Sequence, residues 1–364
     1  MDAKTYLIGL MSGTSLDGVD AAMVAFDDTY PAGKLIDRHY AGYTDSLRLR
    51  LLALHDSGTD ELHRSATIAN ELSDCYADAS NVLLERNGVR PLAIACHGQT
   101  IRHRPECGYS IQLVNPARLA ERTGITVIAD FRNRDIAAGG HGAPLVPAFH
   151  SAAFHHPSID RAIVNIGGIA NLTNLPAYGT VTGFDCGPGN LLLDAWCLRH
   201  TGQPYDADGF WSASGKAIPA LLARLLQHPY FNQAAPKSAG REQFSLSWLD
   251  SQVGGKEAAA DVQATLVELT ATSIADAIES HCHTAAEIFI CGGGAHNSRL
   301  LSSIGARLPG KSIKLTDELG INADWVEAHA FAWLGNQTLH NLPGNCMAVT
   351  GAAHPCTLGA IYPA

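Results

Sequence analysis

Three glycine-bearing stretches and a few polar residues at the ends of apolar runs are where this sequence could do chemistry. The first is GLMSGTSLDGVD, residues 9–20, an apolar run broken by glycines and small hydroxyl side chains and containing no lysine. Glycine N–H groups have no Cβ in front of them, and Thr14 and Ser15 add hydroxyl donors. The tip formed by Gly13, Thr14, Ser15, Leu16, Asp17, Gly18, Val19 and Asp20 therefore suits an anion the size of phosphate. An ordinary long hairpin turn is the competing reading. The second stretch, RAIVNIGGIANLTNL (161–175), repeats the order of strand, Gly167-Gly168 turn and strand. The third, IFICGGGAHNSRLL (288–301), runs from an apolar strand through Gly292, Gly293 and Gly294 into a helix start. Singly, each is weak evidence: neither Gly-x-x-x-x-Gly-Lys nor a strand-to-helix Gly-x-Gly-x-x-Gly occurs.

Polar side chains gather where other apolar runs stop. PLAIACHGQTI (91–101) reads as a buried strand ending in a polar turn that carries His97, Gln99 and Thr100, and GITVIADFRNRD (124–135) repeats the arrangement with Arg132. Open α/β sheets hold ligands at such ends. Asp185 follows a β-like run, Gly179 to Phe184, and lies in the turn-rich GFDCGPGN (183–190). On the residues alone, an aspartate there organises its own turn. Asp324 and Glu327 have the Asp-x-x-Glu spacing of a helix capping box. HCH (281–283) reads as the close of a helix at the surface, with no second ligand pair at metal spacing.

The elements that must position these groups are legible as patterns. SLRLRLLALHD (46–56) and Glu61 to Arg86 are helical, the second stopped by Asn87-Gly88; Glu257 to Cys282 is another long helix, with Val262, Leu266, Leu269, Ile274 and Ile278 on one face. AAGGHGAPLVPAF (137–149) makes a transition between lobes, and the recurrence of a glycine hairpin after it implies a duplicated architecture. A length of 364 residues favours two domains. With 25 basic against 35 acidic residues, a net −10, and no basic run, nucleic acid is not an expected partner. Nine scattered cysteines without a Cys-x-x-Cys pair point to reduced thiols in a cytosol. Asp2 and Lys4 precede only a short apolar stretch, so neither a signal peptide nor a membrane partner is expected, and the localisation expected is cytoplasmic.

Together, two phosphate-sized hairpins and a late Gly-Gly-Gly turn match the plan of the actin-like ATPase and sugar-kinase superfold. The blocks GLMSGTSLDGVD, HGQTIRH, ADFRNRDIAAGG, GAPLVPAFH, NIGGIANLT, GFDCGPGNLLLDAW, PKSAGREQF, CGGGAHN, FAWL and LPGNCMAVTGA narrow this: the chain resembles the anhydro-N-acetylmuramic acid kinases from residue 9 into its C-terminal segment. His141, in GGHGAPL, stands where that family carries a smaller or amide side chain. The resemblance implies a two-lobed α/β fold of the actin, Hsp70 and sugar-kinase type, with duplicated βββαβα-type domains around a central cleft. The lobes expected are 1–145 and 146–364, with the last residues free to return to the N-terminal lobe.

It also implies chemistry. ATP and water would turn 1,6-anhydro-N-acetylmuramic acid into N-acetylmuramic acid 6-phosphate in peptidoglycan recycling. O6 of that sugar is bridged to C1, so the base is needed by a water attacking C1. The resemblance makes Asp185 that base and offers Glu327 as the second catalytic candidate, against its capping-box reading. The two hairpins would hold the ATP phosphates, and Gly292 to Gly294 would let adenosine lie close to the backbone. Asp20, with Asp17 nearby, would hold Mg²⁺ through water. His97, Gln99, Thr100 and Arg132 would bind the sugar, with Arg132 matched to the lactyl carboxylate. A homodimer is left open. The alternatives are a related amino-sugar kinase acting on a simple hydroxyl, and a non-catalytic actin-like nucleotide-binding protein.

Overall fold

The structure, a computed structural model, describes residues 4–364. It divides into two compact units; the first runs to Ala153 and takes back Trp325–Ala364, and the second is Phe154–Asp324.

In the first unit, β1 (Thr5–Ser12), β2 (Gly18–Asp27) and β3 (Tyr30–Gly42) form an antiparallel meander. β4 (Ala93–Arg104) lies parallel to β1 on its other side, β5 (Tyr109–Leu113) folds back antiparallel on β4, and β6 (Val127–Ala129) is parallel to β4. The last strand, β12 (Ala360–Tyr362), closes the sheet antiparallel to β6. The second unit repeats the plan. β7 (Arg161–Ile166), β8 (Ile169–Leu175) and β9 (Thr182–Pro188) form a meander, β10 (Glu287–Cys291) is parallel to β7, and β11 (Ser312–Leu315) is parallel to β10. The sheet orders β6-β4-β1-β2-β3 and β11-β10-β7-β8-β9 are therefore the same fold written twice, as the recurring glycine hairpins imply.

Central strands buried on both faces read as continuous apolar runs. β1 is such a strand, and its alternate residues serve two different helices. Ile8 and Leu10 join Ile68, Leu72, Tyr76 and Leu83 of the helix Glu61–Asn87 in one core. On the opposite face Gly9 meets the helix Val326–Leu339 so closely that a Cβ would lie 1.9 Å from the Ala328 carbonyl oxygen. Gly335 of that helix makes the matching approach, its Cβ position 2.6 Å from Ala95 Cβ. β3, at the sheet edge, alternates between half-buried and exposed instead. In the second unit the helix Ala259–His281 buries Val262, Leu266, Leu269, Ile274 and Ile278.

Four local expectations change. The first unit continues past 145 because the helix Val146–Phe154 packs within it: the Phe149 ring lies 5.0 Å from His329 and 6.1 Å from Trp333. β4 does not end at His97 but runs to Arg104, passing a Gly98 at φ +77, because β5 supplies a new antiparallel partner. GFDCGP is strand, not turn, paired along β8. Cys282 does close its helix, but it is buried, so HCH is only partly a surface element.

Candidate functional site

The first glycine hairpin is built to hold its tip rigid. Ser12, the last residue of β1, is bonded to the hydroxyls of Tyr43 (2.7 Å) and Tyr76 (2.9 Å) in the core. Burial pushes both phenols well above their ordinary pKa, so they remain neutral hydrogen-bonding groups. Beyond Ser12, Leu16 adopts φ +57 and turns its side chain into the core, while Thr14 and Asp17 face solvent. The Asp17 carbonyl accepts from Tyr43 N (2.8 Å) and Tyr40 OH (3.0 Å), and Gln99 Nε2 donates to the Gly13 carbonyl at 3.0 Å. Of the expected anion-binding residues, Leu16 and Val19 are core side chains that offer only backbone, and Gly18 is required by β3, where a Cβ would meet Ala41 O at 2.5 Å. Gly13 has nothing within 4 Å of its Cβ position. Asp20 is half-buried on β2, in register with Met11 and Tyr40.

The sugar-binding candidates fall into two groups. His97 and Arg132 are joined: Arg132 donates from Nε (3.1 Å) and Nη2 (2.8 Å) to His97 Nε2 and from Nη1 to the Gly142 carbonyl (2.7 Å). Burial first, and the guanidinium second, hold the imidazole well below its usual pKa. Gln99 and Thr100 are engaged elsewhere, Gln99 at the hairpin tip and Thr100 Oγ1 as acceptor from Gln112 Nε2 at 3.1 Å. Beneath Arg132 sits a residue that sequence reasoning passed over. Asp135, fully buried, accepts from Gly142 N, Asn345 Nδ2 and Thr350 Oγ1, each at 2.8 Å, so LPGNCMAVTGA is tied to the loop that Arg132 grips. His141 in that loop is exposed, so its size disturbs no packing.

In the second unit three glycine motifs converge. The Gly167-Gly168 tip turns its carbonyls toward the next motif: Gly167 O accepts from Asn190 N at 2.8 Å, and Gly168 O accepts from Gly189 N at 2.9 Å and Leu191 N at 3.0 Å. Asn190 Nδ2 also donates to Ile166 O at 3.2 Å. A Cβ on Gly189 would lie 2.3 Å from Gly167 O. Against the same strand end, Cβ atoms on Gly292 and Gly294 would meet Asn165 Oδ1 and Ile166 Cγ2, both at 2.3 Å. Packing within the unit therefore accounts for those two glycines. Gly293 is exposed, 3.6 Å from Asn190 Nδ2 at its Cβ position.

Asp185 sits half-buried on β9, opposite Asn171, where the register with β8 shifts. Its N–H donates to Lys237 O at 3.1 Å, its carbonyl accepts from Tyr230 OH, and its Oδ2 accepts from Ala239 N at 2.9 Å. All three partners come from the segment 230–239, part of which is the quoted PKSAGREQF. The density of small and polar residues at 237–240 was the available signal.

Glu327 occupies the first turn of the helix Val326–Leu339, half-buried, but the capping box is not formed. The N-cap position is Trp325, with no side-chain cap, and Asp324 instead bonds His296 Nε2 at 2.6 Å. Among the described residues no group of three or more His, Cys, Asp or Glu is placed to hold a metal ion.

A family model described as anhydro-N-acetylmuramic acid kinase matches residues 5–364. Curated relatives bearing that name include proteins of Nitrosomonas europaea, 56% identical over 99% of this chain and 100% of the relative, and Nitrosospira multiformis, 56% identical over 99% of each. A third, from Thiobacillus denitrificans, is 53% identical over 100% of this chain and 98% of its own.

Proposed function

This chain belongs to the anhydro-N-acetylmuramic acid kinase family, and on that premise we propose that it uses ATP and water to turn 1,6-anhydro-N-acetylmuramic acid into N-acetylmuramic acid 6-phosphate. The bridge oxygen O6 carries no proton, so the carboxylate works on water. Asp185 takes a proton as the water oxygen bonds to C1, the C1–O6 bond breaks, and O6 takes the γ-phosphoryl group while ADP leaves. The proton then passes to solvent. Positive charge gathers near C1 as the bridge opens, and the same carboxylate is suited to stabilise it.

The fixed seat of Asp185 supports this assignment: its N–H, carbonyl and one carboxylate oxygen are all held by the segment 230–239. Backbone at the Gly13–Asp20 tip, at Gly167-Gly168 and at exposed Gly293 would hold the nucleotide. Magnesium on the nucleotide would supply charge neutralisation at the phosphate oxygens. A single half-buried carboxylate, Asp20, suits an ion that keeps most of its waters, with Asp17 beside it. His97 and Arg132 would meet the sugar, with Glu327 as a further contact and Gln99 and Thr100 shaping the strand that carries them. No helix among the described residues is long and apolar enough to cross a membrane. The reaction proposed here would give the enzyme a cytoplasmic place in peptidoglycan recycling.

Turnover in ¹⁸O-labelled water tests the chemistry. Label should appear on C1 and not on the phosphate, and Asp185→Asn should bind sugar but lose about 10²–10⁴ in rate. Label on phosphate, or near-normal turnover by the variant, would overturn it.

A further inference from the structure

We propose that Tyr230 and Lys237 are positioning residues that clamp Asp185, an inference that rests on Asp185 being the base. The clamp is made of backbone on one side and a buried ring on the other. Lys237 lends its carbonyl to Asp185 N–H at 3.1 Å, and two residues on, Ala239 N–H reaches Asp185 Oδ2 at 2.9 Å. This short stretch thus fixes both the main chain and the carboxylate of Asp185. It meets β9 where the register of β8 with β9 shifts, between Ala170 and Asn171, beside the Asn171–Asp185 pair.

Lys237 holds the stretch in place. Its ammonium donates to Tyr230 O at 3.1 Å and Phe231 O at 3.4 Å and lies 4.6 Å above the Tyr230 ring. Tyr230 in turn is 1% exposed, with its ring 5.4 Å from Phe244 and 6.0 Å from Phe231, and Phe244 packs 5.6 Å from Trp248. From that rigid cluster its hydroxyl donates to the Asp185 carbonyl. Tyr230 and Lys237 therefore set the main-chain position from which the carboxylate reaches out, and neither needs to touch sugar or nucleotide. A base must sit within hydrogen-bond reach of its water, so a small displacement costs rate rather than affinity.

Steady-state and single-turnover ADP formation from the anhydro sugar would be measured for Tyr230→Phe, Lys237→Met and Lys237→Arg, for Asp185→Asn, and for Tyr230→Phe combined with Asp185→Asn. Tyr230→Phe and Lys237→Met should each lower kcat about five- to thirtyfold, the worth of one buried hydrogen bond, with both KM values within about twofold. Lys237→Arg should recover part of the loss. With Asp185 already replaced, Tyr230→Phe should cost less than about twofold more, because residues acting through one group are not additive. Unchanged kcat in both single variants would overturn the clamp, as would equal fold losses with and without Asp185. Should Tyr230→Phe fail to fold, Lys237→Met and its rescue by arginine decide. An inactive Asp185→Asn beside fully active Tyr230→Phe and Lys237→Met would remove the clamp alone. Near-normal turnover by Asp185→Asn would remove the base assignment, and the clamp with it.

Discussion

Arg132 grips one nitrogen of His97 with two of its own, Nε at 3.1 Å and Nη2 at 2.8 Å, so that the imidazole Nε2 must be an acceptor. Both donors belong to a permanent cation, and the ring is buried. His97 is therefore a neutral imidazole with its proton on Nδ1.

That relationship predicts a silent histidine. In nitrogen-resolved NMR, the His97 ring should keep its neutral signature as the pH falls through 6.5, where an ordinary histidine takes up its proton. In Arg132→Met the second cause of the depression is lost while burial remains, so its pKa should rise and still stay below 6.5. A His97 that titrates near 6.5 in the unaltered protein would contradict the geometry.

Acid should weaken the fold through other histidines too. Burial holds His150 at about 3, and His329 and His103 at about 4, against 6.5 in the unfolded chain. Between those values the unfolded chain takes up a proton that the folded one refuses. Stability is therefore full above pH 6.5 and falls as pH drops below it, by up to about 1.4 kcal/mol per pH unit for each histidine. Urea unfolding at pH 7, 6 and 5 should show this, with a shallower slope for His329→Gln.

Two glycines of one motif should respond oppositely to a side chain. At Gly13 the Cβ position has open space for 4 Å, so Gly13→Val should leave stability within about 0.5 kcal/mol while nucleotide affinity falls at least about tenfold. At Gly9 a methyl meets the Ala328 carbonyl oxygen, so Gly9→Ala should cost about 1–3 kcal/mol or more. Thermal melts and ATP titration of the two variants separate the effects. Unchanged ATP binding by a folded Gly13→Val protein would exclude the tip from the nucleotide site.

Glu327→Gln keeps the size of the side chain and no capping box depends on it, so the Tm should change little. Turnover of the sugar should fall about tenfold or more. A large loss of stability with unaltered kinetics would return Glu327 to a structural role.

The plan of the fold was legible because a duplicated sheet repeats its hairpin, and both Gly13–Asp20 and Gly167-Gly168 mark it. The site was legible only in part. HGQTIRH and GFDCGP look like turns because their polarity breaks the apolar run, yet β5 and β8 supply partners that keep them extended, and a partner is not a local property. Asp135 gives no local sign of its importance, since its three donors come from residues 142, 345 and 350. Gly292 and Gly294 read as room for a ligand, and the packing of Asn165 and Ile166 against them is a second reason for glycine that the sequence does not show. Glycine alone cannot say whose atoms approach it.

The return of Trp325–Ala364 to the first unit has a consequence for how the chain is made. As the polypeptide leaves the ribosome, residues 154–324 emerge as one uninterrupted unit and are complete before synthesis ends. The first unit is not. β1 is translated ahead of that unit, but the helix that seats against Gly9 arrives more than three hundred residues later. Until then the face of β1 bearing Leu7 and Gly9 waits without its cover, a nascent surface for a chaperone to shield.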